Sequence, residues 1–83
     1  MAYEKIMDDA PDREQLKVES EHAKVVNGWR VAPLTGRSED GEERVFGFQI
    51  LGEEKATDSL LDTLHFLLKT WGGCHPGTWR SNS

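Results

Sequence analysis

The chain holds a single cysteine, Cys74, so it closes no internal disulfide and suits a reducing compartment. No apolar run approaches the ~20 residues that a membrane-spanning helix needs, and the N-terminus lacks the apolar core of a secretion signal. The expectation is a cytoplasmic protein with no membrane contact. Basic residues are scarce as well: ten Lys and Arg face fifteen Asp and Glu, a net charge of −5. The excess is uneven, with thirteen acids and seven bases in residues 1–54 and two and three in residues 55–83. Phosphate binding requires cationic side chains, so direct nucleic-acid binding is not expected. A solvated acidic surface, or a basic partner, fits this balance better.

Eighty-three residues form one small domain, which buries only about 60–65 % of the surface its unfolded chain exposes. A ligand pocket of about 300 Å³ needs walls on several sides, which one helix on one small sheet hardly supplies, so the chain is read as not an enzyme. The chemistry-bearing residues agree. His22, His65, Cys74 and His75 are the residue types that hold zinc, but adjacent Cys74 and His75 rarely share one ion, and no CxxC or HxxxH spacing occurs. A nucleophile pair of Cys74 with His65 or His75 falls on a Gly-rich tail that would not hold reacting atoms in place. Gly72-Gly73 follows a helix instead of opening one, so it is no phosphate loop. No catalytic residue, metal or cofactor is expected.

What the chain does have is a run organised for a helix. In residues 58–71, DSLLDTLHFLLKTW, a turn of about 100° per residue places Leu60, Leu61, Leu64, Leu67, Leu68 and Trp71 in one stripe. Thr57 or Asp58 suits the N-cap, Asp62 and Lys69 suit the two ends of the dipole, and Gly72-Gly73 closes the helix. Upstream, residues 14–26 alternate as a strand, with a polar bend or bulge over Glu19–His22. Asn27-Gly28 predicts a type I′ hairpin that sets Val26 opposite Trp29, Lys24 opposite Val31, Val25 opposite Arg30 and Ala23 opposite Ala32. Trp29 and Val31 would face the helix. Pro33 predicts that the second strand ends or bulges near Ala32. Residues 35–43 read as a charged loop, and Arg44–Leu51 as a third strand that turns Phe46, Phe48 and Ile50 to the helix. Gly47 leaves a shallow place on the other face, a packing accommodation or the approach point of another backbone.

The expected fold is therefore α+β: a three-stranded antiparallel sheet followed by one amphipathic helix on one face. Residues 1–13 read as a mobile N-terminal arm, 14–73 as the single domain and 74–83 as a C-terminal tail. The opposite face of the sheet is expected to lack cover within the chain, so that a homodimer or a partner would supply it.

The Asn27-Gly28 hairpin, the Asp40-Gly41 loop, the F-x-I strand at Phe48–Ile50 and the DSL helix start at Asp58–Leu60 resemble small bacterial domains of three antiparallel strands followed by one helix. The resemblance spans residues 14–71. In size and acidity the chain is also similar to phage anti-defence proteins of the anti-CRISPR type and to immunity proteins. That likeness implies a non-enzymatic inhibitor that occupies the surface of a host enzyme or toxin. The alternatives are an acidic mimic of nucleic acid blocking a basic groove, and a small subunit or homodimeric accessory protein.

One residue breaks the helical pattern. Phe66 falls about 160° from the centre of the leucine stripe, on a face otherwise made of Asp62, Lys69 and Thr70. The readings are that Trp79 of the tail covers it, that it is one of the single exposed apolar residues normal on a surface, or that it anchors a partner, as exposed aromatics do. Phe66, His65 and Trp79 are the candidate partner-binding residues.

Overall fold

Asn27 and Gly28 adopt φ of 51° and 79°, the positive values that a two-residue type I′ turn demands, and they close the expected hairpin. The computed structural model describes residues 3–81, so the first two residues of the expected arm and the last two of the tail lie outside the described residues. In chain order the elements are β1 (Tyr3–Ile6), β2 (Lys17–Val18), β3 (Lys24–Val26), β4 (Trp29–Arg37), β5 (Glu43–Glu53), α1 (Leu60–Trp71) and α2 (Pro76–Ser81). All strand pairs are antiparallel, in the order β1-β5-β4-β2, with β3 also on β4. The α+β class stands, but the sheet has five strands, not three.

The two additional strands have different origins. The stretch expected to be one strand over residues 14–26 is broken: β2 pairs at Lys17–Thr35 and Val18–Leu34, and β3 at Lys24–Val31 through Val26–Trp29, the predicted hairpin register. Between them a 3₁₀ turn, Ser20–His22, lifts the chain off the sheet, so Ala23 does not pair with Ala32. Pro33 explains the break. Its carbonyl accepts from Glu19 N–H at 3.0 Å, so its backbone faces this side, where the proline ring offers no donor. A regular strand would leave an acceptor unmatched there. The excursion avoids that, and β4 runs through Pro33 to Arg37 instead of ending near Ala32.

The other strand comes from the presumed arm. Tyr3–Ile6 pairs with β5 from Ile50 to Gly47. Gly47 makes this possible, because a Cβ there would stand 2.5 Å from the Lys5 carbonyl oxygen and 3.0 Å from Ile6 Cα, both backbone atoms. Gly47→Ala is expected to push β1 off its neighbour at a cost of about 1–3 kcal/mol. Hydrogen exchange should then show faster exchange over residues 3–7 while the β4–β5 ladder stays protected. Unchanged exchange in β1 would mean that it is not seated on Gly47.

Apolar clusters form on both faces of the sheet. On one, Val31, Val45, Phe48 and Ile50 pack with Leu64 and Leu67 of α1 and Trp79 of α2, flanked by Val26, Trp29, Leu60, Leu68, Trp71 and Cys74. On the other, Leu16, Leu34 and Phe46 pack with Ile6, Met7, Ala10 and Val18. The second face was expected to be bare, but residues 7–16 fold over part of it. Phe46 was expected to face the helix and does not. The register steps from Leu34–Gly47 to Thr35–Val45, which leaves Phe46 as the extra residue of a β-bulge. The bulge turns its ring to the second cluster.

The helix starts two residues later than expected. Ser59, not Thr57 or Asp58, caps it, its hydroxyl accepting from Asp62 N–H at 3.1 Å. At the far end Gly73 takes φ of 81°, its N–H donates to Val45 O at 2.7 Å, and Val45 N–H donates to Cys74 O at 2.9 Å. The end of α1 is thereby stitched to β5, which directs the following tail back over the core.

Candidate protein-binding surface

The buried side of α1 is rotated from the leucine stripe. Thr63, Leu64 and Leu67 are buried and Leu60, Leu68 and Trp71 half-buried, whereas Leu61 is 65 % exposed. Thr63 faces inward and meets the hairpin residue Asn27, whose Nδ2 donates to Thr63 Oγ1 at 3.4 Å. Leu61 is the member of the stripe left outside. The outer side of α1 thus carries Leu61, His65 and Phe66, with Asp62 and Lys69.

Phe66 is 46 % exposed, as the pattern predicted. It is not covered by Trp79. Its ring meets Trp71 edge-on at 5.9 Å, Trp71 meets Trp79 edge-on at 5.3 Å, and Trp79 meets Phe48 at 5.2 Å and a tilt of 50°. Four aromatic rings form a chain from surface to core, and Phe66 is its exposed end. Such pairs prefer these edge and tilted arrangements and gain from them beyond area burial.

Trp79 is withdrawn from the surface. It is fully buried, its Nε1–H donates to the His22 carbonyl at 2.8 Å, and the Lys24 ammonium lies 4.9 Å from its ring centre and donates to its backbone carbonyl. The expectation that Trp79 contacts a partner is therefore corrected: it anchors α2 in the core. His65 remains exposed on α1 beside Phe66, and Leu61 stands one turn before His65. Sequence reading missed Leu61, because nothing in the leucine spacing tells that Thr63 outcompetes it for the inner side.

Other polar groups are engaged within the fold. Burial pushes the Cys74 thiol up, away from the nucleophilic thiolate. His75 Nδ1 accepts from Gly77 N–H at 3.0 Å within the turn into α2. A recess of about 800 Å³ opens between residues 7–15 and the β4–β5 loop, with Arg37, Asp40 and Arg44 on its rim and Phe46 in its wall. Hydrogen bonds from Ser38, from Glu42 N–H and from Arg44 pull the Asp40 carboxyl down to about 2, which makes it a poor proton acceptor. Arg44 also donates to Gly73 O and Arg37 to Gly41 O, so these groups tie the loop together. Among the described residues no three His, Cys, Asp or Glu side chains gather as a metal set, and no helix is long and apolar enough to cross a membrane.

Fold and surface together define a small α+β domain whose most exposed large apolar side chains on a helix are Leu61 and Phe66. Comparison with known proteins finds no match among family models, curated proteins or solved structures.

Proposed function

We propose that this protein is a small non-enzymatic protein-binding module, an inhibitor of the immunity or anti-defence kind, that acts by occupying a partner's surface through the outer side of α1. The observation that carries the reading is Phe66: a large aromatic ring, half in water, braced from behind by Trp71. The inner side of the helix is already filled by Leu60, Leu64, Leu67 and Trp71, so Phe66 is not needed to seal the sheet, and its one ring contact, with Trp71, leaves about half of it in water. A braced ring loses little freedom on docking, which is what makes aromatic side chains effective anchors. Exposed Leu61 and His65 continue the surface from Phe66 round the helix towards its Leu68 side.

Capture from a bacterial lysate on immobilised protein tests this. Phe66→Ala is expected to weaken retention of a specific partner by about 2 kcal/mol, roughly thirtyfold, while the melting temperature stays nearly unchanged. A stability loss of about 3 kcal/mol with binding intact would make Phe66 a core residue instead. The acidic excess favours a rival, a nucleic-acid mimic in a basic groove. Its retention would fall steeply with salt and ignore Phe66, whereas an aromatic anchor tolerates salt.

A further inference from the structure

β1 is an edge strand, and its free side is chemically ordered. Met7 N–H donates to Phe46 O at 2.8 Å, so Tyr3, Lys5 and Met7 turn their backbone groups to β5, and Glu4 and Ile6 turn theirs outward. Among the described residues nothing pairs with them. Tyr3 and Lys5 stand opposite Ile50 and Phe48, members of the helix-side core, so their side chains rise on the α1 side. There a shallow recess of about 530 Å³ joins Lys5, Ile6, Met7, Asp8 and Asp9 to Leu68 and Lys69. The side of α1 that carries Leu68 therefore flanks β1, and Leu61, two turns earlier, lies on that side towards Tyr3, itself 45 % exposed.

A second copy of this chain suits the edge poorly. Residues opposed across an antiparallel pair point to the same face, so a two-fold pairing of β1 that overlaps three of its residues sets Glu4 against Glu4 or Lys5 against Lys5. Like charges so opposed repel. The order of charge along the edge is asymmetric instead: Asp8 and Asp9 at one end, Lys5 with Lys69 in the middle, and the exposed, uncharged Tyr3 at the other.

We infer that β1 accepts an extended strand of a partner protein, antiparallel, whose side chains on the α1 side run basic, acidic and apolar at alternate positions. The basic group meets Asp8 and Asp9, the acidic group sits between Lys5 and Lys69, and the apolar group lies against Tyr3. Backbone pairing at Glu4 and Ile6 supplies affinity, and the charge order supplies direction. The inference rests on the reading of the protein as a protein-binding module and adds a contact beside Phe66.

The test is a titration of the whole labelled protein, followed by backbone amide shifts, with the blocked peptide Thr-Lys-Thr-Glu-Thr-Val-Thr and with its isomer in which Lys and Glu are exchanged. The expected result is saturable shifts at Glu4 and Ile6 at millimolar peptide, with the first peptide bound about fivefold more tightly, the effect of about one solvated ion pair. Lys5→Glu, an exposed change, should abolish or reverse that preference, and Phe66→Ala should leave it intact. Equal binding of the two peptides, shifts confined to other residues, or self-association that protects the Glu4 and Ile6 amides would each overturn the inference. Because the readout lies in β1 and not in lysate capture, its failure leaves the Phe66 reading standing, and the reverse.

Discussion

Trp79→Ala is expected to cost about 3–5 kcal/mol, a large share of the roughly 4–12 kcal/mol that a domain of this size commands. The residue lies in the sequence's least regular stretch, yet its ring is fully buried between Phe48 and Trp71. Truncation opens a cavity under α2 and leaves the His22 carbonyl without its indole donor. Trp79→Phe weights the two effects differently, because it removes the donor but keeps a six-membered ring and so leaves a smaller cavity, for about 1–3 kcal/mol. Urea denaturation midpoints measure both. A loss below about 1 kcal/mol for Trp79→Ala would show that α2 is not docked and that the core ends at Trp71. Phe66, at the exposed end of the same aromatic chain, should by contrast tolerate truncation.

The elements legible in the sequence are those whose signals are local. Asn27-Gly28 announces positive φ at two adjacent positions, and the strand pairing around it follows from the turn alone. The helix over 60–71 follows from its own spacing, and the break near Glu19 shows as polarity in an alternating run. What stayed hidden depends on contacts distant in sequence. β1 forms because Gly47, more than forty residues away, lets its backbone approach, and nothing within Tyr3–Ile6 states that. Pro33 reads locally as a strand end; only the 3₁₀ excursion on the neighbouring segment allows it in mid-strand. Phe46 follows the alternation until the bulge shifts it by one position, after which it packs with Leu16 and Leu34.

The surface follows the same division. Phe66 stood out because a helix has a fixed angle per residue, and a residue far from the stripe must face outward whatever the rest of the fold does. Trp79 could not be placed that way, since a six-residue helix after two glycines carries no periodicity to orient it. Leu61 shows where helical spacing ceases to decide exposure. At the edge of the stripe, Thr63 takes the inner side beside Asn27 and Leu61 is left exposed, a choice made by contacts distant in sequence.

The second large effect concerns the tie between Glu19 and Arg80, which also holds α2 down. Glu19 is 2 % exposed; its carboxylate accepts from Arg80 Nη2 at 2.5 Å, from Arg80 Nε at 3.2 Å and from Thr35 Oγ1 at 3.0 Å. Burial, the largest single influence, pushes this carboxyl up, but the hydrogen bonds from Arg80 and Thr35 and the charges of Arg80 and His22 together outweigh it and hold the carboxyl below its ordinary range. In the unfolded chain it takes up its proton near pH ~4.3, so just below that pH the unfolded state binds more protons than the folded one. The contribution of Glu19 to stability is thus complete above about pH 4.3 and is lost as the pH falls through the lower folded value. Asp40 changes stability with the same sign but is common to all variants, so differences between them isolate Glu19. Glu19→Gln should therefore flatten the acid limb of a plot of unfolding free energy against pH. Arg80→Ala leaves a buried carboxylate with the Thr35 hydroxyl as its remaining donor, at a cost of about 3 kcal/mol near neutral pH. Burial then dominates, the folded carboxyl titrates above its ordinary value, and the sign reverses: the deficit of Arg80→Ala against the parent protein should shrink as the pH is lowered from about 7 to about 3 and the variant's carboxyl takes up its proton. A deficit that stays constant over that range would mean that water replaces Arg80 at Glu19 and that the pair does not hold α2.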